Sequence, residues 1–104
     1  MTIQQKTAEN YIALWNEADN VSRRQKLAEG WASDAVYRDP MMQGEGHEGI
    51  AQMIETAREH FPGLAFSLDT TPDGHGDFVR FSWALSPEGG EAIARGSDIV
   101  RLGG

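Results

Sequence analysis

The chain has 104 residues, of which 39% are hydrophobic and 24% are charged, and its formal net charge is −7 at pH 7. These values are typical of one globular domain, which we place at residues 1–104. The negative charge argues against nucleic acids and anionic membranes as partners, because both attract basic surfaces. Without cysteine, the chain has no disulfide, thiol nucleophile or cysteine metal site. The sequence has neither a signal-peptide pattern nor an apolar run of transmembrane length, so we expect a cytoplasmic protein.

Apolar residues in the first part of the chain recur every three or four positions, as in amphipathic helices. A first helix is predicted over about residues 3–19, after a threonine–glutamine capping box. A second is predicted over about 21–31 and a third over about 47–61, where a Pro–Gly pair stops it. We therefore expect three helices before the main strands begin.

The rest of the chain alternates apolar and polar residues, which predicts strands. We place them at about residues 35–39, 64–69, 78–86 and 91–102. Segments 44–46 and 72–77 are predicted as a turn and a loop, because they are rich in turn-forming residues. Helices followed by strands indicate an α+β fold, in which three N-terminal helices pack on a curved, mainly antiparallel sheet.

Two aspartates and a tyrosine are the candidate site residues. Asp98 lies on a face of the last predicted strand that is otherwise small or apolar. The small residues leave room there, and apolar surroundings favour the neutral acid over the carboxylate, unless this face meets water. Asp39 directly precedes Pro40, where it either acts as a general base or caps a strand end. Tyr11 lies on the inner face of the first helix, so its ring belongs to the core while its hydroxyl can reach a cavity.

Two segments, Tyr11–Asn16 and Ala35–Pro40, resemble SnoaL-like proteins of the nuclear-transport-factor-2-like superfamily. Gly44–Ile50 and Gly96–Asp98 extend the resemblance over nearly the whole chain. The resemblance implies a cystatin-like cone of helices and curved sheet that encloses a pocket and forms a homodimer through the sheet. Members usually continue into one more strand, so it also implies that this final strand is lacking here or is supplied by a partner chain.

The ketosteroid isomerases belong to this superfamily. In them a tyrosine and a protonated aspartate hold an oxyanion while a second aspartate moves a proton. The resemblance therefore implies Asp39 as the base and Tyr11 and Asp98 as hydrogen-bond donors. It implies isomerisation or cyclisation of a small, apolar carbonyl compound. The alternative is a ligand-binding or dimerisation module of the same fold without catalysis.

Large apolar side chains near these positions are the predicted pocket lining, with a place in the core as the other interpretation of the tryptophans. They are Trp15, Trp31, Met41, Met42, Ile54 and Trp83. Neither a cofactor nor a metal is predicted, because the three histidines do not cluster. His47 and His60 fall at opposite ends of the third predicted helix, and His75 falls in a turn.

Overall fold

A computed structural model describes residues 2–38, 42–60 and 62–102. The helices are α1 (Ile3–Asn16), α2 (Asn20–Gly30) and α3 (Gly46–Glu59). The strands are β1 (Val36–Arg38), β2 (Gln43–Glu45), β3 (Leu64–Leu68), β4 (Asp73–His75), β5 (Phe78–Pro87) and β6 (Ala94–Arg101). The chain divides into two compact units, one of residues 1–16 and 63–104 and the other of residues 17–62. No helix within the described ranges is long and apolar enough to cross a membrane.

The first unit packs α1 against an antiparallel sheet. β5 is the central strand: β6 pairs along one side of it, while β3 and β4 pair with its two ends on the other side. Alternation along β5 turns Val79, Phe81 and Leu85 inward, and all three are buried. The buried side chains of α1 cover this face, and they are Ala8, Tyr11, Leu14 and Trp15.

The side chain of Asn16, at the last residue of α1, fastens the helix to β3. Its Nδ2 donates to the carbonyl oxygen of Phe66 at 2.8 Å, and its Oδ1 accepts from the Phe66 N–H at 2.8 Å. Every second residue of an antiparallel strand points its backbone groups away from its partner strand, and Phe66 is such a residue. The side-chain amide of Asn16 therefore makes the hydrogen bonds to Phe66 that a neighbouring strand would otherwise make. The helix α1 ends at this residue, earlier than the predicted end near residue 19.

The second unit combines α2 and α3 with the hairpin of β1 and β2. Asp19 caps α2, where its side chain accepts a hydrogen bond from the Ser22 N–H at 2.8 Å. The core of the unit is formed by the apolar stripes of the two helices. Its fully buried members include Leu27, Ile50, Ala51 and Ile54.

Arg23 and Arg24 are the fourth and fifth residues of α2, close to the end where the helix dipole disfavours cations. Arg23 is 1% exposed and donates to the Asn20 side chain and to the Glu17 carbonyl, both at 2.6 Å. Burial lowers the pKa of Arg23. Arg24 instead reaches α3, where it forms two hydrogen bonds of 2.8 and 2.7 Å with the Glu48 carboxylate. These hydrogen bonds of Arg23 and Arg24 offset the unfavourable interaction of their charges with the helix dipole.

Glu48→Gln should remove an acid-dependent part of the stability. The hydrogen bonds from Arg24, and then from Gln52, lower the pKa of Glu48 from 4.5 to about 2. Because the pKa is lower in the folded state, the stabilisation is complete above about pH 4.5 and is lost as the pH falls towards 2. Urea unfolding across this range should show a shallower loss of stability in the variant than in the wild type. Glu91→Gln, in the exposed segment before β6, is the control, and parallel curves for Glu48→Gln and the wild type would contradict this prediction.

The predicted strands differ from the observed ones in three places. β2 forms where a turn was predicted, and β4 forms inside the predicted loop at 72–77. Both strands have three residues with a glycine at the centre, and their extended conformation comes with pairing, of β2 with β1 and of β4 with β5. The last strand begins at Ala94 instead of residue 91. The α+β class and its three helices are confirmed.

Candidate active site

A hydrogen bond between Tyr11 and Asp98 lies on the inner face of the sheet. The Tyr11 hydroxyl donates to Oδ2 of Asp98 at 2.6 Å. Tyr11 comes from the buried side of α1, and the alternation of β6 brings Asp98 to the same face. Such a short distance is typical of an O–H donor bound to a carboxylate. The packing of α1 on the sheet thus joins two of the three predicted catalytic residues.

The pair rests on an apolar floor formed by Phe81. Phe81 is directly opposite Asp98 in the β5–β6 register, and it is 1% exposed. Its ring meets that of Tyr11 edge to face, with centroids 4.9 Å apart at 64°. Asp98 itself is half-buried. Among the described residues, Tyr11 is its hydrogen-bond partner through Oδ2, and Oδ1 has none. The site therefore offers one carboxyl oxygen for an incoming group.

Three aromatic side chains form a row on the same face of the sheet. The rings of Trp15 and Phe66 are 5.5 Å apart, and those of Phe66 and Trp83 are 5.2 Å apart, both edge to face. Trp15 is buried, whereas Phe66 and Trp83 are half-buried. We refer to Trp15, Phe66 and Trp83 as the aromatic row. It provides apolar ring surface in the same unit as the Tyr11–Asp98 pair.

Five of the predicted site residues do not belong to the described part of the first unit. Asp39 and Met41 lie outside the described residues. Trp31, Met42 and Ile54 belong to the second unit, in which Ile54 is fully buried and the other two are half-buried.

Sequence reasoning gave no site role to Phe66 and Phe81. The alternation of β3 and β5 placed both on the inner faces of their strands. That alternation was the signal available for them, because it also indicates which side chains share a face with Asp98.

The histidines engage backbone carbonyls near α3. Nε2 of His47 donates to the Trp31 carbonyl at 2.8 Å, and Nδ1 of His60 donates to the Thr56 carbonyl at 2.9 Å. Over the parts of the chain that the structure describes, no group of three or more histidine, aspartate and glutamate side chains could hold a metal ion. The groups that the described part of the site offers are an acid, a phenol and aromatic rings.

The family model of the SnoaL-like domain matches residues 8–104. The chain belongs to the SnoaL-like family. The matched range includes Tyr11, Asp98 and the aromatic row, and it confirms the resemblance seen at Tyr11–Asn16 and Ala35–Pro40. Among curated proteins, none matches this SnoaL-like chain.

Solved structures support the same family. A candidate isomerase of the SnoaL-like family from Agrobacterium tumefaciens is 50% identical, with a TM-score of 0.92, and the match covers 98% of this chain and 88% of that one. A candidate polyketide cyclase from Sinorhizobium meliloti shares 15% identity, with a TM-score of 0.70 over 94% and 84% of the two chains. A protein of ketosteroid-isomerase-like fold from Catenulispora acidiphila, in complex with trimethylamine, shares 17%, with a TM-score of 0.68 over 95% and 77%. The last two show the fold alone.

Proposed function

We propose that this SnoaL-like protein binds a small, largely apolar carbonyl compound beside Tyr11 and Asp98 and moves a proton on it, by isomerisation or cyclisation. The observation that supports the proposal is the 2.6 Å hydrogen bond between Tyr11 and Asp98 over an apolar floor. Polar groups are costly in such surroundings unless they are satisfied, and here the two groups satisfy each other. A carbonyl oxygen that reaches Asp98 would meet a prearranged donor system.

The proposed chemistry uses the two oxygens of the Asp98 carboxyl group differently. When protonated on Oδ1, Asp98 donates to the carbonyl oxygen of the ligand, while Oδ2 keeps its bond from Tyr11. Removal of a proton next to the carbonyl creates negative charge on the carbonyl oxygen, which fixed O–H donors stabilise. As the Asp98 proton shifts toward that oxygen, the short bond from Tyr11 stabilises the carboxylate that forms.

The base in this scheme is Asp39, a role that comes from the family resemblance. A carboxylate accepts the carbon-bound proton and returns it at another position in an isomerisation. The 50% identity to a candidate isomerase favours this reaction class. A binding module without catalysis is the second candidate, and the trimethylamine complex of a protein of similar fold favours it.

Tyr11→Phe should slow proton transfer about 10- to 100-fold, because it removes a hydrogen bond to the Asp98 carboxylate that forms, and such a bond to a charged group is worth about 1.5–3 kcal/mol. The measurement is the exchange of deuterium from heavy water into the position next to the carbonyl of tetralone, followed by proton magnetic resonance. Wild type should accelerate the exchange over buffer, Tyr11→Phe should lose most of the acceleration and Asp39→Asn should abolish it. Tyr37→Phe, which removes a hydroxyl from the other tyrosine of the chain, is the matched control.

Two results would count against the catalytic proposal. If the wild type exchanges deuterium no faster than buffer does, the protein is not the proposed enzyme. Weaker binding of tetralone to Tyr11→Phe than to the wild type would then support the binding module. Equal exchange rates for Tyr11→Phe and Tyr37→Phe would show that the Tyr11–Asp98 hydrogen bond does not contribute to proton transfer.

The homodimer through the sheet stays a prediction, and sedimentation velocity of the wild type tests it.

A further inference from the structure

Gly96 lies directly beneath the indole of Trp83. The two residues are opposite each other in the β5–β6 register. A Cβ atom added at Gly96 would lie 2.5 Å from Cζ2, 2.8 Å from Cε2 and 3.1 Å from Cη2 of Trp83. All three atoms belong to the six-membered ring of the indole. The ring therefore occupies the space that any other side chain at position 96 would need.

The backbone conformation does not require glycine at this position. Gly96 is not among the described glycines with positive φ. Glycine weakens the interior of a strand, and it is expected there mainly where another group approaches closely. Here the approaching group is the Trp83 ring. The indole can lie over β6 because Gly96 has no side chain.

The position of the indole also places it beside the proposed site. Along β6, Asp98 follows Gly96 by two residues on the same face, and along β5 Phe81 precedes Trp83 in the same way. Trp83 ends the aromatic row and is only half-buried, so part of its surface is accessible. Any group that reaches Asp98 from this side meets the indole.

We infer that Gly96 is a specificity-determining residue, which selects flat, unsaturated ring compounds by holding the Trp83 indole beside the Tyr11–Asp98 pair. The inference rests on the proposed function, because it assumes that the ligand oxygen binds to this pair. Aromatic rings attract one another in offset or edge-to-face arrangements, which a flat ligand can adopt against Trp83 and a globular aliphatic one cannot. Gly96 acts through Trp83 and does not itself touch the reacting atoms.

The test compares two alcohols of opposite shape, naphthol and adamantanol, by titration calorimetry. Wild type should bind naphthol about tenfold more tightly than adamantanol, which is the scale of one aromatic contact. Gly96→Ala should displace the indole, change the near-ultraviolet circular dichroism of the tryptophans and bring the affinity ratio close to one. The double variant Gly96→Ala, Trp83→Phe should recover part of the ratio, because the smaller ring leaves space for the methyl group. Gly30→Ala is the control, since a Cβ there meets nothing within 4 Å.

The outcomes separate this inference from the proposed function. A folded Gly96→Ala protein that keeps the wild-type ratio overturns the inference. If it does not fold, Trp83→Leu removes the indole without the clash and should lose the ratio, and a retained ratio overturns the inference too. If the ratio responds to Gly96→Ala while Asp98→Ala leaves naphthol affinity unchanged, the ligand contact with Asp98 that the proposed function requires is absent, and the role of the indole in ligand selection stands. Binding of neither alcohol to the wild type overturns both.

Discussion

Phe81→Ala should lower the free energy of unfolding by about 4 kcal/mol, which is the usual scale for a buried phenylalanine cut back to alanine. Phe81 is 1% exposed, and its ring lies against Tyr11 at a centroid distance of 4.9 Å. The substitution leaves a cavity between α1 and β5 that the surrounding strands cannot fill without moving the Tyr11 ring. Urea unfolding followed by far-ultraviolet circular dichroism measures the loss.

Phe81→Leu is the matched variant, since it keeps most of the apolar volume. It should cost only about 1 kcal/mol. The difference in the free energy of unfolding between Phe81→Ala and Phe81→Leu gives the cost of the cavity. A loss below about 1.5 kcal/mol for Phe81→Ala would mean that Phe81 does not support the inner face as described, because real core sites rarely collapse so completely.

Gly44→Ala should destabilise the second unit by about 3 kcal/mol, at the upper end of the usual cost of overpacking. A Cβ at Gly44 would lie 2.9 Å from the carbonyl oxygen of Gly49 and 3.1 Å from the Cα of Ile50. Both obstacles are backbone atoms in the first turns of α3, so no change of rotamer relieves the contact. Either β2 or α3 must move. Thermal unfolding by calorimetry gives the loss directly.

Gly30→Ala provides the comparison within the same unit. Gly30 is the last residue of α2, and nothing lies within 4 Å of a Cβ built there. Alanine favours the helical conformation over glycine, so this variant should be as stable as the wild type or slightly more stable. Similar losses for the two variants would show that the close approach of β2 to α3 is not what requires glycine at position 44.

The helices were predictable because their apolar stripes are regular. Ile50, Ile54 and Ala57 recur at spacings of four and three residues along α3, and all three are buried. β4 was not predictable, because its residues are turn formers and their extended conformation depends on pairing with β5. The arginines near the start of α2 also could not be explained from the local sequence. Arg24 binds Glu48, which lies on another helix.

Two members of the candidate site could be proposed from the sequence, but the contact between them could not. Asp98 is the one carboxylate on an otherwise small or apolar strand face, and Tyr11 carries a hydroxyl on the inner face of its helix. Their 2.6 Å bond depends on how α1 packs on the sheet, which no local pattern specifies. The small residues of β6 predicted free room on its inner face. At Gly96 that room is taken by Trp83, because a ring from the neighbouring strand lies over the position.

The amide of Asn16 has a consequence for how the protein behaves at high concentration. Within the described residues, β3 pairs with β5 on one side only. The backbone groups of Phe66, in the middle of β3, point to the other side. Exposed strand edges template further strands and lead to aggregation. Asn16 already occupies both groups of Phe66, so a second molecule cannot extend the sheet there without first detaching α1. The same contact that anchors the helix thus keeps this edge closed to sheet growth.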